Sequence, residues 1–306
     1  MIPWLLDHAR DTPFMHSRTA NPPGLSPLPP EDWIRLDPDF AAQMAYRAEL
    51  IRERPGIVLA VEEGAEAAVA ELYRFALAYL GGRHGYAFDG DRATRPDGGE
   101  VRCDASHPLE TLGHLVADDL CVLLPDEASG EYALRAALLC FPSRWLLSEK
   151  IGRPLTPIHE PVPEYDDTLA RRVNRVFEAI RPGRPMIRVN WLIHEMCELH
   201  LPLGENERMT FQADPEEGIY LRTERQTLTR LPETGAVIFG IKTSICEIGA
   251  LKPAEALVLR REFAAKHEGH IAYAERRTTY EIALERLAAI AAAAEGQHDQ
   301  REPAGG

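Results

Sequence analysis

Apolar residues recur at helical spacing over some stretches of this chain and alternate with polar residues over others. Residues 39–54 keep Phe40, Met44 and Leu50 near one face, and 65–80 repeat Val69, Leu72, Tyr73 and Ala76. Both spacings predict helices, the second stopped by Gly81-Gly82. A short helix is expected after Leu109, another over 145–151, and an amphipathic one over 168–180 with Leu169, Val173, Val176, Phe177 and Ile180 inward. Five segments have period-two or β-branched character instead: 118–124, 132–140, 185–193, 219–230 and 236–243. The first two flank a turn at Asp126 to Gly130 and form a hairpin. Residues 253–268 and 274–294 close the chain as two helices, the second rich in alanine. Residues 1–38 read as an extended N-terminal arm, with five prolines between Asn21 and Pro30. The Gly- and Asp-rich stretch 85–101 reads as a mobile loop, and 295–306 as a disordered tail.

This order of elements predicts an α+β fold: an antiparallel sheet with flanking helices and helical N- and C-terminal extensions. At 306 residues and 45% apolar composition, one domain over 1–306 is expected. No Gly-rich phosphate loop is present, so neither a dinucleotide domain nor a nucleoside-triphosphate site is supported. No apolar run approaches the roughly 20 residues of a membrane span. The first ten residues lack a basic start and an apolar run, so the cytoplasm is the expected location. A net charge of −14 makes nucleic acid a poor partner, because phosphate binding needs a basic surface. The five cysteines are scattered, with no CxxC pair, which argues against a disulfide framework or a four-cysteine metal site.

Three constellations can carry chemistry. His159 sits on a bend stiffened by Pro157, Pro161 and Pro163. Proline fixes φ and restrains its neighbour, so this imidazole loses little entropy when held in one direction, as an axial ligand to haem iron must be. A proline-rich connector with an incidental histidine explains the same residues. In the strand 219–230, Arg222 and Glu224 share a face with Tyr220 and Gln226, while Arg225 projects to the other. Facing a sheltered cavity, that pair is polarising and its carboxylate can hold a cationic amine; facing water, it is a surface ion pair of under about 1 kcal/mol. Arg188 and Asn190 share a face of their own strand and can fix a propionate or another ligand. Arg144, Arg153, Arg171 and Arg175 are further candidates for carboxylate pairing.

Several blocks, in order, resemble the haem-dependent oxidative N-demethylase family, that of the α subunit of dimethylamine monooxygenase. Among them are Gly24-Leu-Ser-Pro-Leu, Leu139-Cys-Phe-Pro-Ser-Arg-Trp145, Glu149-Lys-Ile-Gly-Arg-Pro-Leu155, Ile158-His-Glu-Pro-Val-Pro-Glu-Tyr165, Arg188-Val-Asn-Trp191 and Arg222-Thr-Glu-Arg-Gln-Thr-Leu228. The resemblance implies a PAS-like domain binding haem b, with His159 as its proximal ligand. It also implies O₂-dependent oxidation of a small secondary amine, dimethylamine-like, to a primary amine and formaldehyde. Electrons are then expected from NADPH through a separate reductase carrying flavin and an iron–sulfur centre. On this reading Arg188, Asn190 and Arg144 bind the cofactor, while Arg222 and Glu224 form the distal pocket, Glu224 orienting the amine. Two positions depart from the family pattern: Ser244, where an aromatic residue is expected, and the pair Asp118-Asp119. The alternatives are a haem-based gas or redox sensor of the same fold, and a haem-free binding subunit.

Overall fold

The computed structural model describes residues 2–16, 24–160, 167–205, 214, 216–265 and 277–299, with backbone alone over 167–169, 277–278 and 293–299. Pro161 and Pro163 of the expected bend lie outside the described residues. Five long strands form the middle of the molecule: β7 (Asp119–Asp126), β8 (Glu131–Leu138), β9 (Met186–His194), β10 (Tyr220–Arg230) and β11 (Val237–Glu247). They coincide with the five segments expected as strands. Short strands complete the sheet: β1 (Leu5–Leu6), β2 (Ser26–Pro27) and β3 (Leu59–Val61). The order is β2-β9-β10-β11-β7-β8-β3, antiparallel throughout, with β1 added parallel to the far end of β11.

Paired residues of an antiparallel sheet share a face. The face carrying the even-numbered residues of β10 holds Arg188, Gln226 and Ile241 in one row and Asn190, Glu224 and Thr243 in the next. The odd face carries Trp191, Thr223, Arg225 and Lys242. Helices cover the two faces unequally. On the odd face, α1 (Phe40–Glu53), α3 (Glu66–Leu80) and α4 (Pro108–Leu115) bury Met44, Leu72 and Leu112 against Leu120, Val122 and Ile238. At the other end of that face, α8 (Pro253–Ala264) and α9 (Arg277–Asp299) pack Leu259 and Leu287 on Trp191, Ile193 and Leu221. The even face is covered at its β7–β8 end by α5 (Leu147–Lys150), α6 (Leu155–His159) and α7 (Asp167–Ala179), over Leu123, Leu134, Leu228 and Val237. The single turn α2 (Pro55–Val58) leads into β3.

Two expectations are corrected. Residues 85–101 are not a loop: β4 (Ala87–Asp89), β5 (Arg92–Thr94) and β6 (Glu100–Arg102) form a separate three-stranded sheet. Its alternate residues Ala93 and Val101 are buried in the odd-face core, which gives these short strands something to pack on. The last helix runs to Asp299, so residues 295–299 continue it rather than begin a tail. Among the described residues, no helix is long and apolar enough to cross a membrane.

Candidate active site

His159 closes α6, a single helical turn whose start is secured from outside. Every helix begins with N–H groups that have no partner within it. In α6 the Thr156 N–H donates to Glu131 Oε2 at 2.9 Å, Pro157 has no N–H to satisfy, and the Ile158 N–H reaches Pro154 O at 3.1 Å. The preceding segment is fastened to β8 by Leu134 N–H to Arg153 O and Gly152 N–H to Leu134 O. The bend expected at His159 is thus a docked helical turn.

The ring itself is oriented by Nδ1, which lies 2.8 Å from Leu155 O. A carbonyl oxygen only accepts, so Nδ1 donates and the lone pair of the neutral ring belongs to Nε2. Burial lowers the proton affinity of His159; the Leu155 bond and Glu131 oppose that shift, while Arg188 and Lys150 add to it. The imidazole is therefore held neutral, with Arg188 near enough to act on it.

Arg188 and Asn190 project from β9 beside Glu224 and Gln226 of β10. Glu224 collects the polar contacts of this row. Gln226 Nε2 donates to its Oε2 at 3.0 Å, Asn190 Nδ2 to the same oxygen at 3.4 Å, and Arg222 Nε lies 3.6 Å from Oε1. Arg222 is only 1% exposed, and its terminal nitrogens are spent on backbone: Nη2 donates to Phe141 O at 2.6 Å, Nη1 to Glu198 O and Leu199 O. It thus sits behind Glu224, which is half-buried and presents the row outward.

Arg188 is different. It is half-buried, burial destabilises its charge, and Glu224 offsets this only at a distance. No described carboxylate lies within ion-pair reach of its guanidinium. Arg144 already has a partner: its Nη2 donates to Glu195 Oε1 at 2.9 Å, and its backbone takes the left-handed conformation, φ 63°. Arg153 pairs with Glu205 and Glu160, and Arg171 and Arg175 are exposed on α7. The structure therefore gathers His159, Arg188, Asn190 and Glu224 on one face, with Arg222 beneath. It leaves Arg144 engaged elsewhere.

The donor set fits a haem. A neutral imidazole with its Nδ1–H bonded to a carbonyl carries its lone pair on Nε2, the atom through which such a ring ligates a metal, and an arginine with no described carboxylate in ion-pair reach suits a propionate. Among the described residues no three His, Cys, Asp or Glu side chains gather as a metal cage would require; one axial imidazole needs no such cage. Glu131 and Gln226 are the residues that sequence reasoning passed over or left without a role. Glu131 lies on a hairpin far along the chain from His159, and no local spacing links them.

A long antiparallel sheet with helices on both faces makes this an α+β protein, consistent with a PAS-like sheet. Residues 24–277 match the family described as haem-dependent oxidative N-demethylase, alpha subunit-like, and the chain belongs to that family.

Proposed function

We propose that this chain is the haem-bearing subunit of an oxidase that removes a methyl group from a small secondary amine such as dimethylamine. The observation that carries this reading is the His159 ring, directed by Leu155 O and close enough to Arg188 to feel its charge, which Glu224 in turn supports. His159 would hold haem b through Nε2, and Arg188 with Asn190 would take a propionate, while Arg144 stays paired with Glu195. When bound, the haem supplies the electron-transfer and O₂ chemistry. The net reaction takes O₂, two electrons and two protons with the amine, and releases the primary amine, formaldehyde and water.

The chain's own residues bind and orient. Glu224 accepts N–H bonds from the cationic amine, and Asn190 and Gln226 keep its carboxylate from rotating. Arg222, fixed by three backbone carbonyls, positions Glu224 and adds positive potential that favours developing negative charge. The alpha-subunit-like description of the family supports a partner subunit; on this reading that partner is a reductase carrying flavin and an iron–sulfur centre and drawing on NADPH. Five free thiols suit a reducing compartment, in keeping with a cytoplasmic enzyme of one haem domain.

The purified chain should bind haem with a Soret band that His159→Ala abolishes. Glu224→Gln should keep the band and lose about 10- to 100-fold in kcat/KM for the amine, the range expected for losing a charged hydrogen bond. Amine-dependent O₂ uptake with a reductase separates the enzyme from a sensor of the same fold. An unchanged spectrum in His159→Ala removes the ligand assignment.

A further inference from the structure

Glu131 stands at the start of β8, on a different element from every residue of the site, yet its carboxylate bonds both to α6, which carries His159, and to α7. Oε2 accepts the Thr156 N–H at 2.9 Å; Oε1 accepts the Thr156 hydroxyl at 2.5 Å and Asn174 Nδ2 of α7 at 3.0 Å. These three hydrogen bonds join β8, α6 and α7 at one point. Thr156 lies beside Leu155, whose carbonyl directs the His159 ring. The path from Glu131 to the imidazole is therefore short: carboxylate, first turn of α6, Leu155 O, Nδ1–H.

Capping alone would not require a charge, since Ser, Thr or Asn serve equally at helix starts. Glu131 adds one. Against the cost of burial, the hydrogen bonds from Thr156 and Asn174 hold its own carboxyl below the usual carboxylate range. A negative charge therefore lies near the ring, held on Thr156, the neighbour of Leu155. Other charges face His159 as well: Arg188 from β9 and Lys150 from α5 oppose Glu131. Lys150 is itself engaged with Ile158 O and with Glu205. Among the described residues whose charge acts on the ring, Glu131 is the acidic one, opposing two cations.

We propose that Glu131 is a positioning residue for His159, fixing the turn that aims the imidazole and supplying the negative charge that makes it a stronger electron donor to a Lewis-acidic centre. The inference rests on His159 being the haem ligand. A carboxylate near an axial imidazole favours the oxidised, more positive iron over the reduced one. Removing one nearby charge in a partly buried setting changes such an equilibrium by about tenfold.

The test uses the full chain, haem titration and spectroelectrochemistry. Glu131→Gln should bind haem with the wild-type stoichiometry, yet its ratio of ferric to ferrous affinity should fall about tenfold, or about 59 mV for a one-electron couple. Glu131→Asp, which keeps the charge, should restore most of that ratio. Thr156→Val, which keeps the charge and loses one bond to it, should weaken both oxidation states alike. In the haem-free chain, Glu131→Gln should also speed hydrogen exchange at the Thr156 amide. A wild-type affinity ratio in Glu131→Gln overturns the electronic role, and unchanged Thr156 exchange overturns the anchoring role. If His159→Ala instead binds haem with an unaltered spectrum, the ligand assignment itself falls and the positioning role goes with it.

Discussion

Single residues divide sharply by which side of a strand they occupy. Arg222 and Arg225 are three positions apart in one strand, yet one braces Glu224 on the even face while the other donates to Trp33 O on the odd face. Period-two alternation made that division legible, along with the grouping of Arg188 with Asn190. It carried no sign that Arg222 would be buried on backbone carbonyls, because the acceptors at Phe141, Glu198 and Leu199 come from distant loops. Asp118 is the sharper case. It is fully buried, neither oxygen is hydrogen-bonded by a described residue, and burial pushes its carboxyl up to about 6 against the pull of Arg225 and Lys242. Between the ordinary value of 3.8 and about 6, the folded protein holds a proton that the unfolded chain has released. Its contribution to stability therefore falls as pH rises through that window and is constant above it. Asp118→Asn, compared with wild type by thermal melting, should gain stability from pH 4 to pH 8. The ceiling on that gain is roughly 3 kcal/mol, the value of the gap between the two states. An equal difference at both pH values would contradict this.

At the scale of elements, long patterns were readable and short ones were not. Strands β7 to β11 and helices α1, α3 and α7 each repeat a period often enough to be recognised. Strands of two or three residues cannot, so β1 to β6 emerge only from what they pair with. The Gly-rich stretch around Gly90 and Gly98 hides two hairpins because turn residues outnumber strand residues there. Helix packing also sets limits that composition conceals. Gly113 lies in α4, where a glycine is normally a cost of about 1 kcal/mol relative to alanine. Here a Cβ would sit 2.6 Å from Ile51 Cδ1 and 2.9 Å from Leu138 Cδ2. Gly113→Ala should therefore destabilise the protein by about 1–3 kcal/mol through overpacking of α1, α4 and β8, despite its better helix propensity. Chemical denaturation decides the sign: a gain in stability would show that α4 can move aside.

The whole molecule is a sheet with two differently employed faces. The odd face is closed by helices and a dense hydrophobic core; the even face leaves its β9–β10 end to polar side chains. Neighbouring residues of β9 make this testable. Trp191 is buried against Phe14 and Phe263, whereas Asn190 is half-buried and bonded to Glu224. Trp191→Ala should cost about 3–5 kcal/mol of stability and leave the haem affinity of the folded fraction unchanged. Asn190→Ala should cost under about 1 kcal/mol and weaken amine recognition instead. Equal losses of stability in the two variants would mean that the faces are not separate in this way. Local periodicity by itself determined the fold class, the five long strands and which side chains of each strand stand together, since alternation and helical spacing are properties of neighbouring residues. Only the tertiary structure decided that Asn190 lies opposite Glu224, that Arg188 acts on His159 and that Glu131 anchors the turn carrying it. Those relations depend on strand register and helix docking between segments tens of residues apart, and nothing in the spacing within any one segment specifies them.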